Sequence, residues 1–420
     1  MRISIKPNRL LIFLLSLAIV LEGRSIWIYF TGVGGLFRAS IKAFILVIFV
    51  LMLLFNKRLK ITKGDNVGGV TLSVIVYVLL YGILSRYKFG TLFIWLVCSC
   101  VIAYEMLFFE TKEDRSNGIP LLLSYYSDII FVIAIVSLIF WLLGGILHII
   151  PITDEYIYTW SDPSNGSAVY SYFNLYYTVG PQKALGITID RNSAIFAEAP
   201  MAALHFSLSL LIEIFLKRKV SRKRILFLVM AIISTLSTMA YIVIIISALG
   251  KCFISKSRNP GEVFFKVILI ALGILGAYYA INNMLTLKMQ QLSGIWRMND
   301  YEVGYNVWRQ NVFLGVGFQN DKAIQDMMPA WRAYNMGFSN SIMQLLAQGG
   351  LMLFVLYLLS FIKGVRYAFS RKQLNYALFI LCFIYLFIVC VFTYNFVTVM
   401  ILIYLFDINR YISNFTFEED

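Results

Sequence analysis

The stretch LFLVMAIISTLSTMAYIVIIISAL, which runs from Leu226 to Leu249, decides the class of this protein. It contains no charged side chain. Since a helix rises about 1.5 Å per residue, one helix of this length would cross a hydrocarbon core of about 30 Å. Basic clusters flank the stretch on both sides, at 217–224 and at 251–258. Because basic residues stay on the cytoplasmic side of a membrane protein, a single crossing would leave one cluster outside.

The two clusters therefore predict that the stretch is broken into two short helices. These helices would meet at four hydroxyl-bearing residues, Ser234, Thr235, Ser237 and Thr238. Hydroxyl groups can bond the backbone groups that a break leaves free. Broken backbone persists at membrane depth only where protein or a water-filled cavity shields it. We therefore predict a funnel-like pocket there, opening to the outside.

The rest of the sequence has the same apolar character. Hydrophobic residues make up 60 % of the 420 positions and charged residues only 14 %, whereas a soluble domain carries roughly 25 % charged residues. The sequence predicts an all-α, polytopic inner-membrane protein with about twelve transmembrane segments, forming one integral domain over residues 1–420, with both termini cytoplasmic. The predicted segments are 10–29, 40–55, 68–84, 91–109, 119–146, 193–216, 225–236, 239–250, 263–283, 340–362, 374–392 and 395–411.

The charges and the metal-binding residue types exclude several classes of function. The net charge of +14 comes from short basic clusters at the ends of the segments, which indicates membrane topology rather than binding to nucleic acid. The five cysteines lie in or beside apolar segments and predict no disulfide framework. With two histidines and no cluster at metal-ligand spacing, we expect no metal site, and no glycine-rich phosphate loop predicts a nucleotide. No cofactor is expected.

Two connections are much longer than the others, and the predicted topology places both outside. They are residues 147–192, here called the first loop, and residues 284–339, the second loop. The first loop is rich in aromatic residues, which suit stacking on sugar rings or, alternatively, an aromatic belt at the membrane interface. Trp160, Tyr172 and Tyr176 are our candidates for glycan binding in this loop.

The first loop ends in a segment that carries two ionisable residues at the entry to an apolar segment. These residues are Arg191 and Glu198. Seven residues are close to two helical turns, so both would share one face if the segment were helical. A carboxylate at an apolar boundary can act as a general base. The alternative is a structural ion pair between the two.

The second loop offers three arginines, Arg297, Arg309 and Arg332. Guanidinium groups suit bidentate capture of phosphate oxygens, although binding of anionic lipid headgroups is an equal alternative. Gly315 and Gly317 permit positive φ angles or a close approach of backbone. A tight turn is therefore predicted at these two glycines.

Three local patterns resemble the O-antigen and capsular-polysaccharide polymerases (Wzy-type), which are relatives of the O-antigen ligases. The first pattern is an arginine before an F-x-E-x-P turn, formed by Arg191, Phe196, Glu198 and Pro200. The second is an arginine followed by a tryptophan and a G-x-G turn, formed by Arg297, Trp308, Gly315 and Gly317. The third is a transmembrane segment that begins just after an asparagine, formed by Ser339 and Asn340 leading to Gln348, Gly349 and Gly350. The ligases carry histidine where this chain has Ser339.

The resemblance implies a GT-C-like bacterial glycosyltransferase that transfers a growing glycan from a polyprenyl diphosphate to a lipid-linked repeat unit, in lipopolysaccharide biosynthesis. It implies that Glu198, Arg191 and Arg297 are catalytic. Arg191, Arg297 and Arg309 would bind the diphosphate, and Trp308 and Asn340 would contact the substrate. The expected partners are the lipid-linked oligosaccharide, membrane lipid and a chain-length regulator.

Two other functions stay open at this point. A ligase would transfer finished glycan to another acceptor, and Ser339 in place of histidine argues against it. A lipid-linked sugar flippase or transporter would show internal repeats with paired broken helices. The sequence shows one broken segment without a matching partner in its other half.

Overall fold

The computed structural model describes residues 7–55, 67–109, 119–160, 166–179, 181–184, 187–255, 259–268, 292–332 and 337–408, with single positions between 271 and 279. Most of these residues are helical. The helices are α1 (Pro7–Glu22), α2 (Gly34–Phe55), α3 (Val67–Ser85), α4 (Phe89–Tyr104), α5 (Leu121–Phe140), α6 (Ala199–Leu211), α7 (Arg222–Ser234), α8 (Thr238–Ile254), α9 (Leu292–Gln310), α10 (Asp321–Gln325), α11 (Ser341–Ser370), α12 (Leu374–Val389) and α13 (Phe396–Phe406). Helices α4, α5 and α6 end in wider π-helical turns.

Membrane character is confirmed, while the number of crossings stays a prediction. Within the described ranges, six helices are long and apolar enough to cross a membrane; they are 34–55, 68–85, 89–109, 121–146, 199–216 and 341–370. Helices α8, α12 and α13 are apolar but shorter. The predicted segment 263–283 lies partly outside the described residues, which are helical at 260–268.

The predicted break in the apolar stretch is confirmed. Helix α7 ends at Ser234 and α8 begins at Thr238. The hydroxyls of Ser234 and Thr235 bond back to the carbonyls of Ala231 and Ile232, at 2.8 and 2.7 Å. Both residues are buried, so protein shields the freed backbone, as such a break requires.

The first loop contains β-structure, which corrects the all-α prediction for this part of the chain. Strands β1 (Asp154–Tyr158), β2 (Ser167–Tyr172) and β3 (Tyr176–Thr178) form an antiparallel sheet in the order β1-β2-β3. Strands β4 (Pro181–Ala184) and β5 (Ile187–Asp190) form a hairpin. Tyrosine, valine and isoleucine at alternate positions suit a pleated, half-buried surface.

The second loop contains α9 and α10 and is anchored in a break of helix α11. Gly350 has a φ of +57°, and the freed amides of Leu351 and Met352 bond the carbonyls of Val312 and Phe313 at 2.9 and 3.1 Å. The predicted tight turn is confirmed by positive φ angles at Gly315 and Gly317. A side chain at Gly315 would lie 2.6 Å from the carbonyl oxygen of Ala347, so glycine is required there.

Helix α6 lies at the centre of the body, and its residues are almost all buried. It packs against α5, α7, α8 and α12. Helix α1 packs against α2, α5 and α13, and α11 packs against α9, α12 and α13. The start of α6, the end of α1 and the start of α13 therefore lie at one end of the helical body.

Candidate active site

A short backbone pairing brings the N-terminal segment to the start of α6. The first segment was predicted as one span over 10–29, but α1 ends at Glu22 because Arg24 adopts a positive φ of 65°. The chain then runs antiparallel to the residues before α6: the amide of Ile26 bonds the carbonyl of Ile195 at 2.9 Å, and that of Ala197 bonds Arg24 at 3.0 Å. Arg24 is thereby fixed beside the segment that ends in Glu198.

His205 of α6 stabilises this arrangement. Its ring stacks on Phe196, with centroids 4.3 Å apart, and its Nε2 lies 2.8 Å from the carbonyl oxygen of Gly23. The hydroxyl of Tyr126 lies 2.7 Å from Nδ1. Since Tyr126 can donate to Nδ1 while Nε2–H donates to Gly23, the ring fits as a neutral tautomer that joins α1, α5 and α6.

Arg191 is half-buried at the break between α7 and α8. Its Nε donates to the carbonyl of Thr235 at 2.9 Å, which leaves the two terminal NH₂ groups free of hydrogen bonds to described residues. Burial lowers the pKa of this guanidinium, which the nearby carboxylate of Glu198 counteracts and the charge of Arg297 reinforces. Arginine keeps its proton under such shifts, so the site contains two interacting positive charges.

Glu198 precedes α6 and has an uncommitted carboxylate. Its backbone is extended, and its side chain does not cap the helix. Among the described residues, the carboxylate has neither a hydrogen-bond partner nor an ion pair. Residues 191–198 are not helical, because the chain pairs with the N-terminal segment there and α6 begins only at Ala199, with Pro200 in its first turn. The two residues nevertheless lie close enough to interact electrostatically.

Arg297, on α9, belongs to the same group of charges. The charges of Arg297, Glu198 and Arg24 all act on the thiol of Cys390 at the end of α12. Arg24, Arg191 and Arg297 are here called the arginine cluster, with Glu198 as its carboxylate. Three guanidinium groups and one carboxylate leave a surplus of positive charge in this region, which favours the binding of an anion.

The other two arginines of the second loop lie elsewhere. Arg309 is exposed and follows Arg297 on α9 by about 18 Å, on a different face of the helix. Arg332 is buried and ion-paired with Asp300, which also accepts hydrogen bonds from the amide and hydroxyl of Ser339. Arg332 therefore has a structural role, and neither residue enters the site that we propose.

Two of the predicted substrate contacts stabilise local structure. Asn340 caps α11 by accepting a hydrogen bond from the amide of Met343 at 3.1 Å, and it is buried. Trp308 donates from its indole nitrogen to the carbonyl of Val312 at 3.1 Å. Both residues support the docking of the second loop on α11.

The aromatic residues of the first loop divide into two groups. Tyr172 and Tyr176 are buried, and their rings pack against each other and against Phe140. We therefore leave both out of the proposed glycan site. Trp160 is partly exposed, lies under the guanidinium of Arg24 at 4.9 Å and contacts Tyr29 edge-on. It alone of the three candidates borders open space.

That open space is a cavity of about 350 Å³, here called the N-terminal cavity. Its wall combines cations, carboxylates, amides and aromatic rings from α1, α2, α4, both loops and the start of α13. The charged residues are Glu22, Arg24, Arg38, Lys42 and Asp321, and the aromatic ones include Tyr29, Trp95, Trp160 and Tyr394. Arg24 thus belongs both to the arginine cluster and to this wall.

Comparison with known proteins connects this architecture to a family. Residues 196–358 match the model of a family described as O-antigen ligase. This part of the chain is similar to that family. The predicted resemblance is thereby confirmed, and since the family covers both ligases and polymerases, the match does not choose between them. A comparison with curated proteins finds no match.

The region that resembles the ligases includes Glu198 and Arg297 but not the N-terminal residues of the site. Sequence reasoning missed Arg24, Arg38 and Lys42, because the candidate residues were taken from the two long loops and the entry to α6, which do not contain them. The sequence did contain a signal for Arg24. Glu22 and Arg24 interrupt the first apolar segment at the end that the charge rule places outside the membrane, where basic residues are not expected.

Proposed function

We propose that the protein is a polysaccharide polymerase of the bacterial inner membrane. It would transfer a growing glycan from a polyprenyl diphosphate to a lipid-linked repeat unit at the outer face. The observation that supports this proposal is the arginine cluster, in which the charges of Arg24, Arg191 and Arg297, from distant parts of the chain, lie within electrostatic range of the same region as the unpaired carboxylate of Glu198.

The reaction that fits this arrangement is a displacement at the anomeric carbon of the donor glycan. A hydroxyl oxygen of the acceptor forms the new glycosidic bond, and the bond between the anomeric carbon and the diphosphate oxygen breaks. The diphosphate leaves with the bonding electrons, and the carboxylate of Glu198 accepts the hydroxyl proton. Such a base is typically responsible for a factor of about 10² to 10⁴ in rate.

The arginine cluster would stabilise the charge that develops on the leaving diphosphate. Arg191 is held through Nε, so its terminal nitrogens are available to the diphosphate. Positive groups already in place where charge develops need no reorganisation during the reaction. The donor carries its own leaving group, so the proposal requires neither a nucleotide nor a metal ion.

The ligase alternative is favoured by the description of the matching family. Against it stands Ser339, at the position where the ligases carry histidine. Its hydroxyl is bonded to Asp300, which is paired with Arg332. Ser339 therefore cannot act as a base in this arrangement, and Glu198 is the better candidate.

Deletion of the gene in its host, followed by gel analysis of the surface polysaccharide, tests the proposal. A lost polymerase leaves a single repeat on the surface, whereas a lost ligase leaves none. We expect the deletion strain to show a single repeat instead of the ladder of glycan lengths. The wild-type gene should restore the ladder, whereas genes encoding Arg191→Ala or Arg297→Ala should not. An unchanged ladder, or complete absence of surface glycan, would refute the polymerase function.

A further inference from the structure

The N-terminal cavity has more positive charge than its own carboxylates neutralise. Arg24, Arg38 and Lys42 line it together with Glu22 and Asp321. In the portion of the chain that the structure describes, none of the three cations lies within ion-pair distance of a carboxylate. Glu22 interacts electrostatically with all three, but its Oε2 accepts the amide of Phe396 at 3.0 Å. One oxygen of this carboxylate therefore caps the N-terminus of α13 and is less available to neutralise the three cations.

Two polar groups of the cavity wall are buried and have no partner among the described residues. They are the hydroxyl of Tyr394 and the amide nitrogen of Asn395. Both residues are more than nine-tenths buried. A buried donor without a partner costs free energy, so the wall of the cavity is incompletely satisfied at these two residues.

The rest of the wall suits a sugar. Trp95 and Trp160 offer aromatic faces, and the side-chain amides of Gln319, Gln325 and Gln344 offer donors and acceptors. Aromatic faces beside amides and carboxylates are the groups that pack on sugar rings and bond their hydroxyls. The cavity therefore combines cations that can bind an anion with groups that can bind a sugar.

We propose that the N-terminal cavity binds the diphosphate and first sugar of the acceptor, the second lipid-linked glycan that a polymerase needs. This inference rests on the proposed function, which requires two lipid diphosphates at once. Arg24 and Tyr29 connect the N-terminal cavity with the arginine cluster. Tyr29 interacts electrostatically with Glu22 of the cavity and with Glu198 of the cluster, and Arg24 belongs to both the cavity wall and the cluster. The acceptor hydroxyl would thus be held beside the donor and Glu198.

Binding to the purified full-length protein in detergent tests this site separately from the donor site. The probes are inorganic pyrophosphate, geranyl diphosphate and a disaccharide containing glucuronic acid, measured by calorimetry. The cavity variant is Arg38→Gln with Lys42→Gln, and the donor variant is Arg191→Gln with Arg297→Gln. Lys322→Gln is the matched control, because Lys322 is exposed on α10 beside the cavity but does not line it.

We expect two sites for geranyl diphosphate in the wild type and in the control. The cavity variant should lose one of them, with Kd raised about tenfold or more, as for charge-assisted hydrogen bonds, and it should keep the other. The donor variant should lose the donor site and keep the cavity site. Retention of one site in each variant also shows that both variants are folded.

Three results would overturn the proposal. Two intact sites in the cavity variant would remove the cavity as a diphosphate site while leaving the donor site, and with it the proposed function, untouched. Binding of the glucuronate disaccharide but not of pyrophosphate would assign the cavity to an acidic sugar instead. Equal binding of geranyl diphosphate and pyrophosphate would indicate a free phosphate rather than a lipid headgroup. Absence of the donor site, with the cavity site intact, would contradict the proposed function; the cavity would remain a diphosphate site, but its assignment to the acceptor would fall with that function.

Discussion

Two groups of charges inside this protein differ in how they are paired. At the end of α6, Glu213 is ion-paired with Lys217 at 3.0 Å and with Arg224 at 3.3 Å, and Asp128 contacts both cations. Glu213 and Lys217 are buried, at 1 % and 6 % side-chain exposure. At the other end of the same helix, the arginine cluster has three cations and one carboxylate without a direct ion pair among the described residues.

The difference indicates which charges hold the fold and which are available to a ligand. A buried charge must be compensated, and the network at Glu213 compensates its members within the protein. The arginine cluster is compensated only in part, which is expected of a site that receives an anionic substrate. Substitutions of the paired charges should therefore lower the stability of the fold, whereas substitutions in the arginine cluster should lower activity.

The largest effect is expected for Glu198→Gln. Glycan elongation by isolated membranes should fall by about 10² to 10⁴, because the amide cannot accept the hydroxyl proton. The unfolding midpoint should stay unchanged, since the carboxylate makes no bond to described residues. Asp326→Asn, an exposed carboxylate of the second loop, is the control and should elongate normally. Full elongation by Glu198→Gln would remove the base assignment.

Arg332→Leu is the corresponding test of a paired charge. It leaves Asp300 buried without its cation, and we expect a loss of about 3 to 5 kcal/mol in the free energy of unfolding in detergent. The double variant with Asp300→Leu should recover part of that loss, because no lone buried charge remains. A single variant as stable as the wild type would show that this pair is not structural.

Arg297→Gln should lower elongation by about 10² to 10³, the usual cost of removing one group that stabilises developing charge. Arg297→Lys should fall between this variant and the wild type, because lysine keeps the charge but lacks the planar fork. Stability should change little in both. If Arg297→Gln lost stability rather than activity, Arg297 would belong with the paired charges.

Tyr126→Phe tests a neutral buried bond next to the cluster. It leaves Nδ1 of His205 without its hydroxyl partner, and a buried unsatisfied acceptor costs about 1 to 3 kcal/mol. The stacking of His205 on Phe196 is retained. Unfolding in detergent measures the loss. Ser73→Ala, which removes an exposed hydroxyl bond on α3, provides the comparison and should have almost no effect.

The smallest effect is expected for Arg309→Gln. Arg309 is exposed and lies outside the arginine cluster, so elongation and stability should stay within about 0.5 kcal/mol of the wild type. The measurement is the same elongation assay used for Arg297→Gln. A large loss of activity would return Arg309 to the diphosphate site and would require the second loop to move.

The fold was predictable where the sequence has a strong local signal. Apolar runs of membrane length, the break at Ser234 to Thr238 and the turn at Gly315 and Gly317 each follow from residues that are neighbours in the chain. The strands of the first loop were missed because aromatic alternation over a few residues fits an interfacial belt equally well. The helical reading of 191–198 failed because pairing with residues 24–26 replaced the local preference of that segment.

The sequence by itself determined that this is a helical membrane protein with cations and a carboxylate at the boundary of an apolar segment. It also determined the identity of Arg191, Glu198 and Arg297 as candidates. Only the tertiary structure decided that Arg24 belongs to the arginine cluster, that Arg332 is ion-paired with Asp300, and that Tyr172 and Tyr176 are buried. The physical reason is that charge compensation is a property of contacts in space. Residue type reports a charge, but only packing shows whether another side chain has already neutralised it.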